Sequence, residues 1–337
     1  MKKIKLALLG IGRIGKIHFD TIRHHIPEAE IVAVSARRTK EQFANEYGDI
    51  FYSNNPADAI RYPGVDAVLI CTSTSTHAEL LELCIAEGKH VFCEKPIDLS
   101  LEKTIAVTRL VQQSPVKVML AFNRRFDPDM RHAKNLVADG KVGNIQVVKI
   151  TSRDPGLPSA DFLKTSGGLF LDMVIHDFDM ARYITGKEVV EVYSKGAVRV
   201  DEIVKQFDDI DTAVTTLTFD DGSYAVIDNS RKAIYGYDQR LEVFGDKAML
   251  QVQNNLHHQT VLYNQQGIQH SLPLDFFMDR YANSYREEMK LFVDALVNDK
   301  PIPVGVADGL KAVRIAIAAK LSVKQNRPVK MDEIATT

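Results

Sequence analysis

Between residues 4 and 122, five short apolar runs recur at helix-length intervals, and this rhythm limits what the chain can fold into more than any other feature. The runs are IKLALL (4–9), IVAVS (31–35), DAVLICT (66–72), HVFCE (90–94) and KVMLAF (117–122), with amphipathic stretches between them. A strand that is apolar on both faces must be covered on both, as in a parallel sheet with crossover helices. From about residue 145 the rhythm changes to alternating strands with little helix between: IQVVKITSR, VVEVYSKGAVRV, DTAVTTLTF, SYAVIDNSR, QRLEVFGDKAMLQVQ and QTVLYN. DDGS, GDK and NQQG between or within them are hairpin signals. Residues 280–298 and 308–325 close the chain as amphipathic helices. The expected architecture is an α/β nucleotide-binding domain over 1–121, then an α+β domain over 122–337 on a large, open, mostly antiparallel sheet.

Composition narrows the function classes. A chain of 337 residues with 42 Lys and Arg against 44 Asp and Glu has a formal charge of −2 and no massed basic patch, so no nucleic-acid partner is expected. Cys71, Cys84 and Cys93 show no paired spacing, as expected in a reducing compartment. The opening MKKIKLALLGIG begins like a signal peptide, but its apolar run is short and breaks at Gly10 and Gly12. No run approaches a membrane span, and a cytoplasmic protein without a membrane partner is expected.

The first apolar run leads into Gly10, Gly12 and Gly15, a GxGxxG at the start of a helical pattern. Such glycines allow a tight turn and close approach of a pyrophosphate to a helix N-terminus. The second run ends at Ser35, Ala36, Arg37 and Arg38. An acid there would bind the ribose 2′-hydroxyl of NAD, whereas arginines tolerate the phosphate of NADP; solvated charges opening a helix are an equal reading. The fourth run ends in Glu94, Lys95 and Pro96. Ligands bind beyond the carboxyl ends of parallel strands, so Lys95 is expected where a nicotinamide and its substrate meet.

Residues 167–183, GGLFLDMVIHDFDMARY, set Asp172 and His176 four apart in an apolar helix, with Asp179 close to the same stripe. Removing a hydride from a secondary alcohol also requires removing the hydroxyl proton. His176 supplies a base and Lys95 a cation for the developing alkoxide. Asp172 fixes the imidazole tautomer, holds the lysine or bonds a neighbouring hydroxyl. Two rival readings are a metal site from Asp172, His176 and Asp179, and a core Asp–His pair that satisfies itself.

GxGxxG at Gly10, EKP at 94–96 and GG-x3-D-x3-H from Gly167 to His176 resemble the Gfo/Idh/MocA oxidoreductases over nearly the whole chain. The longer strings SGGLFLDMVIHDFDMARY, DIDTAVTTLTFDDGS and IDNSRKAIYGYDQRLEVFG are similar to its inositol 2-dehydrogenase group. The resemblance implies a Rossmann domain, NAD as cofactor with NADP not excluded, and catalytic roles for Lys95, Asp172 and His176. It further implies cofactor contacts from Gly10, Gly12, Arg13, Ile14, Gly15, Ala36, Arg37, Thr72, Ser73, Thr74, His77, Glu94, Lys95 and Asn123. Substrate contacts are implied for Lys95, Asn123, Arg124, Arg153, Asp154, Asp172, His176, Tyr235 and Tyr285, with no metal. The implied reaction is oxidation of myo- or scyllo-inositol to the inosose by a homotetramer assembled through its sheet faces. An aldose or amino-sugar dehydrogenase, or a nucleotide-sensing regulator without turnover, are the alternatives. Ala36 departs from the acidic residue of many NAD-using relatives, which puts strict NAD preference in question.

Overall fold

The computed structural model describes residues 3–38 and 40–335. The chain separates into two compact units, 3–126 with 284–313 and 127–283 with 314–335. The outermost residues of the two expected domains, 1, 2, 336 and 337, lie outside the described residues.

In the first unit the five expected apolar runs are strands, and a sixth joins them. β1 (Ile4–Leu9), β2 (Ala29–Ser35), β3 (Phe51–Ser53), β4 (Ala67–Ile70), β5 (His90–Glu94) and β6 (Val118–Ala121) form a parallel sheet in the order β3-β2-β1-β4-β5-β6. The crossovers run through α1 (Arg13–His25), α2 (Lys40–Tyr47), α3 (Pro56–Ile60), α4 (His77–Ala86) and α5 (Leu101–Gln112). Leu6, Leu8, Leu9, Val68, Leu69, Ile70, Val91 and Phe92 have no solvent exposure. Each such side chain contributes roughly 1.5–3 kcal/mol through burial, which is why these runs read as continuous rather than alternating. The strand order reverses between β1 and β4, the place where open α/β sheets bind ligands beyond their carboxyl ends.

The second unit is built on alternation. β7 (Ile145–Arg153), β8 (Val189–Ala197), β9 (Thr212–Phe219), β10 (Tyr224–Ser230), β11 (Asp238–Gly245) and β12 (Met249–Val252), with β15 (Val329–Lys330) at the edge, make a sheet in the order β12-β11-β7-β10-β9-β8-β15. β7 and β10 run parallel and the other neighbours antiparallel. Val148, Ile150, Ala225, Ile227, Ala213 and Leu217 face inward, while Lys149, Tyr224 and Val214 point to the other side. QTVLYN does not join this sheet, contrary to expectation. Only β13 (Leu262–Asn264) forms there, paired with β14 (Gly267–Gln269) across the NQQG turn. All six of these paired residues are exposed, so the segment has no buried face with which to extend the large sheet.

Helices α6 (Pro128–Ala138), α7 (Ala160–Thr165), α8 (Ile175–Thr185) and α9 (Phe277–Arg280) belong to the same unit. α8 packs on β7 and on α6. Asn229, on the inner side of β10, donates from Nδ2 to Asp177 Oδ2 at 2.8 Å and ties α8 to the sheet. The closing helices are α10 (Ala282–Val297) and α11 (Val306–Gln325), within two residues of the expected spans. Phe292 of α10 packs on Phe92 in the first unit, ring centroids 5.6 Å apart.

Candidate active site

At the carboxyl edge of the first sheet the surrounding backbone requires two of the three glycines. Gly10 has φ +87°, and a Cβ on it would lie 2.6 Å from Cys71 O, because β1 and β4 run side by side there. A Cβ on Gly15 would overlap Gly10 O, so α1 packs directly on the turn. A Cβ on Gly12 would meet nothing within 4 Å. Gly12 caps α1 without a side-chain hydrogen bond, so the first-turn amides of Arg13, Ile14 and Gly15 point out of an uncapped helix end. This is the cradle a dinucleotide pyrophosphate needs, and the chain fits NAD there. Thr72, Ser73 and Thr74 follow β4 at the same edge; the Thr72 and Thr76 hydroxyls are 2.7 Å apart and Thr76 donates to Ser73 O.

At the end of β2, Ala36 is half-buried and its carbonyl lies 2.7 Å from the Tyr52 hydroxyl. Arg38 donates from Nη1 to Glu46 Oε2 at 2.6 Å, whereas Arg37 is exposed. The two arginines, equivalent in the sequence, are therefore not equivalent in the fold.

β5 is buried from Val91 to Cys93, Glu94 and Lys95 are half-buried, and the Lys95–Pro96 peptide is cis. His77, expected at the cofactor, is fully buried, with its ring nitrogens 2.8 Å from Pro96 O and 3.1 Å from Thr72 O. Burial pushes its pKa below the ordinary imidazole value, and the ring lies between the two ligand-edge loops that carry Thr72 and Pro96. Behind Glu94, His18 Nε2 lies 2.9 Å from Glu94 Oε1, and Tyr285 packs edge-on to the His18 ring at 5.8 Å. Tyr285, expected at the substrate, is only 6% exposed and belongs to this first unit. Asn123 and Arg124 are also in the first unit, in a short 3-10 turn after β6, and both are buried.

The second unit holds Asp172 and His176. Gly167 and Gly168 both have φ +86°, a conformation that side chains disfavour. A Cβ on Gly168 would lie 2.6 Å from Asp209 Oδ1, the atom that accepts from Leu169 N at 2.9 Å. From this clamp the chain enters a π turn, Phe170–Val174, before α8 begins. Such turns insert a residue into the helical repeat and recur at functional sites. The expected stripe of Asp172, His176 and Asp179 is corrected by burial: Asp179, three residues beyond His176 in α8, is 1% exposed, and only Asp172 and His176 keep solvent access from 169 to 182. Among the described residues no group of three His, Cys, Asp or Glu side chains is disposed to hold a metal ion.

Arg231 sits beneath this pair. It is 1% exposed and donates from Nη1 and Nη2 to Asp172 Oδ2, each at 3.2 Å, with Asp154 Oδ2 4.0 Å from Nη1. Its backbone N–H donates to Asp211 O, and the Asp211 carboxylate accepts from the amides of Arg199, Val200 and Asp201.

Arg153 and Tyr235 are elsewhere. Strand parity puts Arg153 on the face opposite Ser152 and Arg231, where it pairs with Asp228 and donates to the Tyr235 hydroxyl at 3.0 Å. Tyr235 in turn donates to Asp238 Oδ2 at 2.6 Å. The hydrogen bond to Asp228 leads the effects that hold the Arg153 pKa above its usual value. Burial and the bond to Asp238 raise that of Tyr235. The structure thus gathers Asp154, Asp172 and Arg231, with His176 beside Asp172 in the same open stretch, and leaves Arg153 and Tyr235 in a separate network.

Sequence reasoning missed Arg231, Asp209 and Asp211. All three lie inside the strings DIDTAVTTLTFDDGS and IDNSRKAIYGYDQRLEVFG, but just outside the strands, Asp209 and Asp211 before β9 and Arg231 after β10, where a charged residue carries no periodic signal.

Two family models match the chain. One, described as an oxidoreductase family with an NAD-binding Rossmann fold, covers residues 4–122. The other, the GFO/IDH/MocA C-terminal domain, covers 130–251. The myo-inositol 2-dehydrogenase of Thermotoga maritima is 43% identical over 337 residues, spanning 98% of this chain and 99% of that protein. The inositol 2-dehydrogenase of Rhizobium meliloti is 40% identical over 329 residues, spanning 97% and 98%. The crystal structure of scyllo-inositol dehydrogenase from Lactobacillus casei with bound NAD(H) and scyllo-inositol superposes with a TM-score of 0.91 at 31% identity, covering 98% of this chain and 100% of that one.

Proposed function

The chain belongs to the GFO/IDH/MocA oxidoreductases, and from that membership we propose that it oxidises a secondary hydroxyl of myo- or scyllo-inositol to the inosose. The glycine turn and the first-turn amides of α1 would hold NAD, which would supply the hydride acceptor. The hydroxyl proton must leave as well. In this reading His176 accepts that proton, Lys95 stabilises the developing negative charge on oxygen, and Asp172 accepts a hydrogen bond from a neighbouring hydroxyl. Asn123, Arg124 and Asp154 add polar contacts, which a ring of hydroxyls requires. Residues 1–121 serve the cofactor, and 122–337 the substrate and assembly.

One observation carries the assignment. From Leu169 to Arg182 every side chain is buried except Asp172 and His176. A self-satisfied core pair would be sealed with its neighbours; an acid and an imidazole left open in an otherwise closed helix face a ligand.

The outer face of the large sheet supports assembly into a tetramer. Phe244, Val147, Tyr224 and Thr218 form one cross-strand row, and Phe244 and Tyr224 are 45% and 48% exposed. Cys71, Cys84 and Cys93 are unbridged thiols, which suits the cytoplasm. Among the described residues no helix is long and apolar enough to cross a membrane.

The test is cofactor reduction, followed by absorbance, across inositol isomers, aldoses and amino sugars. An inositol should be the preferred substrate, and Lys95→Met and His176→Gln should each lower kcat by about 10²- to 10⁴-fold while NAD still binds. Preference for an aldose would reassign the substrate, and wild-type turnover in either variant would remove that residue from the mechanism.

A further inference from the structure

Arg231 is among the largest fully buried side chains in the molecule, and it is a cation. Sealing a guanidinium from water costs several kcal/mol unless charges and hydrogen bonds offset it. Here the offset comes from two carboxylates, Asp172 at 3.2 Å and Asp154 at 4.0 Å, whose side chains are each 18% exposed. The cation is closed off beneath while the acids face outward. At 1% exposure Arg231 cannot itself touch a substrate, and its Nε, also buried, has no acceptor. The backbone beneath it is held: Arg231 N–H donates to Asp211 O at 2.9 Å, and the Asp211 carboxylate is fixed by three amides and the Thr212 hydroxyl.

Both Nη groups converge on a single oxygen, Asp172 Oδ2. This contact stops rotation of the carboxylate, so that Oδ1 keeps one direction. We propose that Arg231 is a positioning residue for the oxidation: it holds Asp172 by Oδ2 so that Oδ1 meets a substrate hydroxyl in fixed register, with Asp154 aligned by the same cation. A point cation on a flexible stem cannot reproduce the planar fork.

The inference rests on the dehydrogenase reading in one respect, that Asp172 faces substrate. The experiment is a cycle of Arg231→Lys, Asp172→Asn and the double variant. It measures kcat, KM for the inositol and KM for NAD, with active enzyme counted by NAD binding. Arg231→Lys is preferred because it retains the buried charge, with Arg231→Gln as a second arm. We expect Arg231→Lys to lower kcat/KM for the inositol by about 10- to 100-fold, the scale of small misplacements at reacting groups. KM for NAD should stay within about twofold. In the Asp172→Asn background the same change should cost no more than about threefold, because the group it acts through is gone. A merely structural role would reduce the count of active enzyme, leave the kinetics per active site unchanged and act equally in both backgrounds. Equal losses in the two backgrounds, or wild-type kinetics for Arg231→Lys, overturn the proposal. Wild-type activity for Asp172→Asn would instead overturn the assignment of Asp172.

Discussion

Gly168→Ala tests the clamp that sets the π turn, and its magnitude follows from two local terms. Alanine at φ +86° carries about 1–2 kcal/mol of backbone strain. The new methyl would also lie 2.6 Å from Asp209 Oδ1 and 3.0 Å from its Cγ, so the carboxylate must move and release Leu169 N–H. A hydrogen bond to a charged group contributes about 1.5–3 kcal/mol. Together the loss is about 2.5–5 kcal/mol. At roughly 2–4 °C per kcal/mol for a unit of this size, the melting temperature falls by about 5–20 °C. Calorimetry gives the loss, and steady-state kinetics should show a lower kcat with NAD binding intact, since Asp172 lies four residues on. Asp209→Ala separates the terms: once the carboxylate is removed, Gly168→Ala should cost only the strain. A penalty equal in both backgrounds, or a change below about 0.5 kcal/mol, would refute the clamp.

Two further outcomes follow from the first unit. Burial, reinforced by nearby Glu94, pushes the Glu288 carboxyl well above the ordinary carboxylate range. The native state then holds that proton more tightly than the unfolded chain, so stability is full below the unfolded value near 4.5 and falls as pH rises toward the folded one. Glu288→Gln cannot titrate, so its stability advantage over the wild type should grow as pH rises above about 4.5, by up to ~1.4 kcal/mol per unit; a constant difference would sink the argument. At the ribose, Ala36→Asp should raise the NAD to NADP ratio of kcat/KM by about tenfold or more, or ~1.4 kcal/mol. Arg37→Ala should shift the ratio the same way more than Arg38→Ala, because Arg38 is engaged by Glu46. If Ala36→Asp leaves the ratio unchanged, Ala36 does not face the ribose.

The parts legible in the sequence were those governed by local physics. A run such as AVLI at 67–70 declares a strand covered on both faces, and Gly10 declares a turn that a side chain would obstruct. Phe51–Ser53 is too short to show a period, and its place at the sheet edge came from pairing with β2. The π turn was invisible because period analysis assumes one helical repeat throughout, and the burial of Asp179 in α8 depends on packing that no period records.

The sequence by itself determined which residues carry charge inside apolar patterns, and it set Arg153 and Asp154 together at the substrate. It held no information on which face α8 would cover. That choice was made when Asn229 met Asp177 and Arg231 met Asp172, contacts spanning 52 and 59 residues. Parity is a property of two adjacent residues, whereas the identity of the inner face depends on the helix that packs there. The same strand therefore delivers Asp154 to the candidate site and Arg153 to a surface network, a division that only tertiary packing could make.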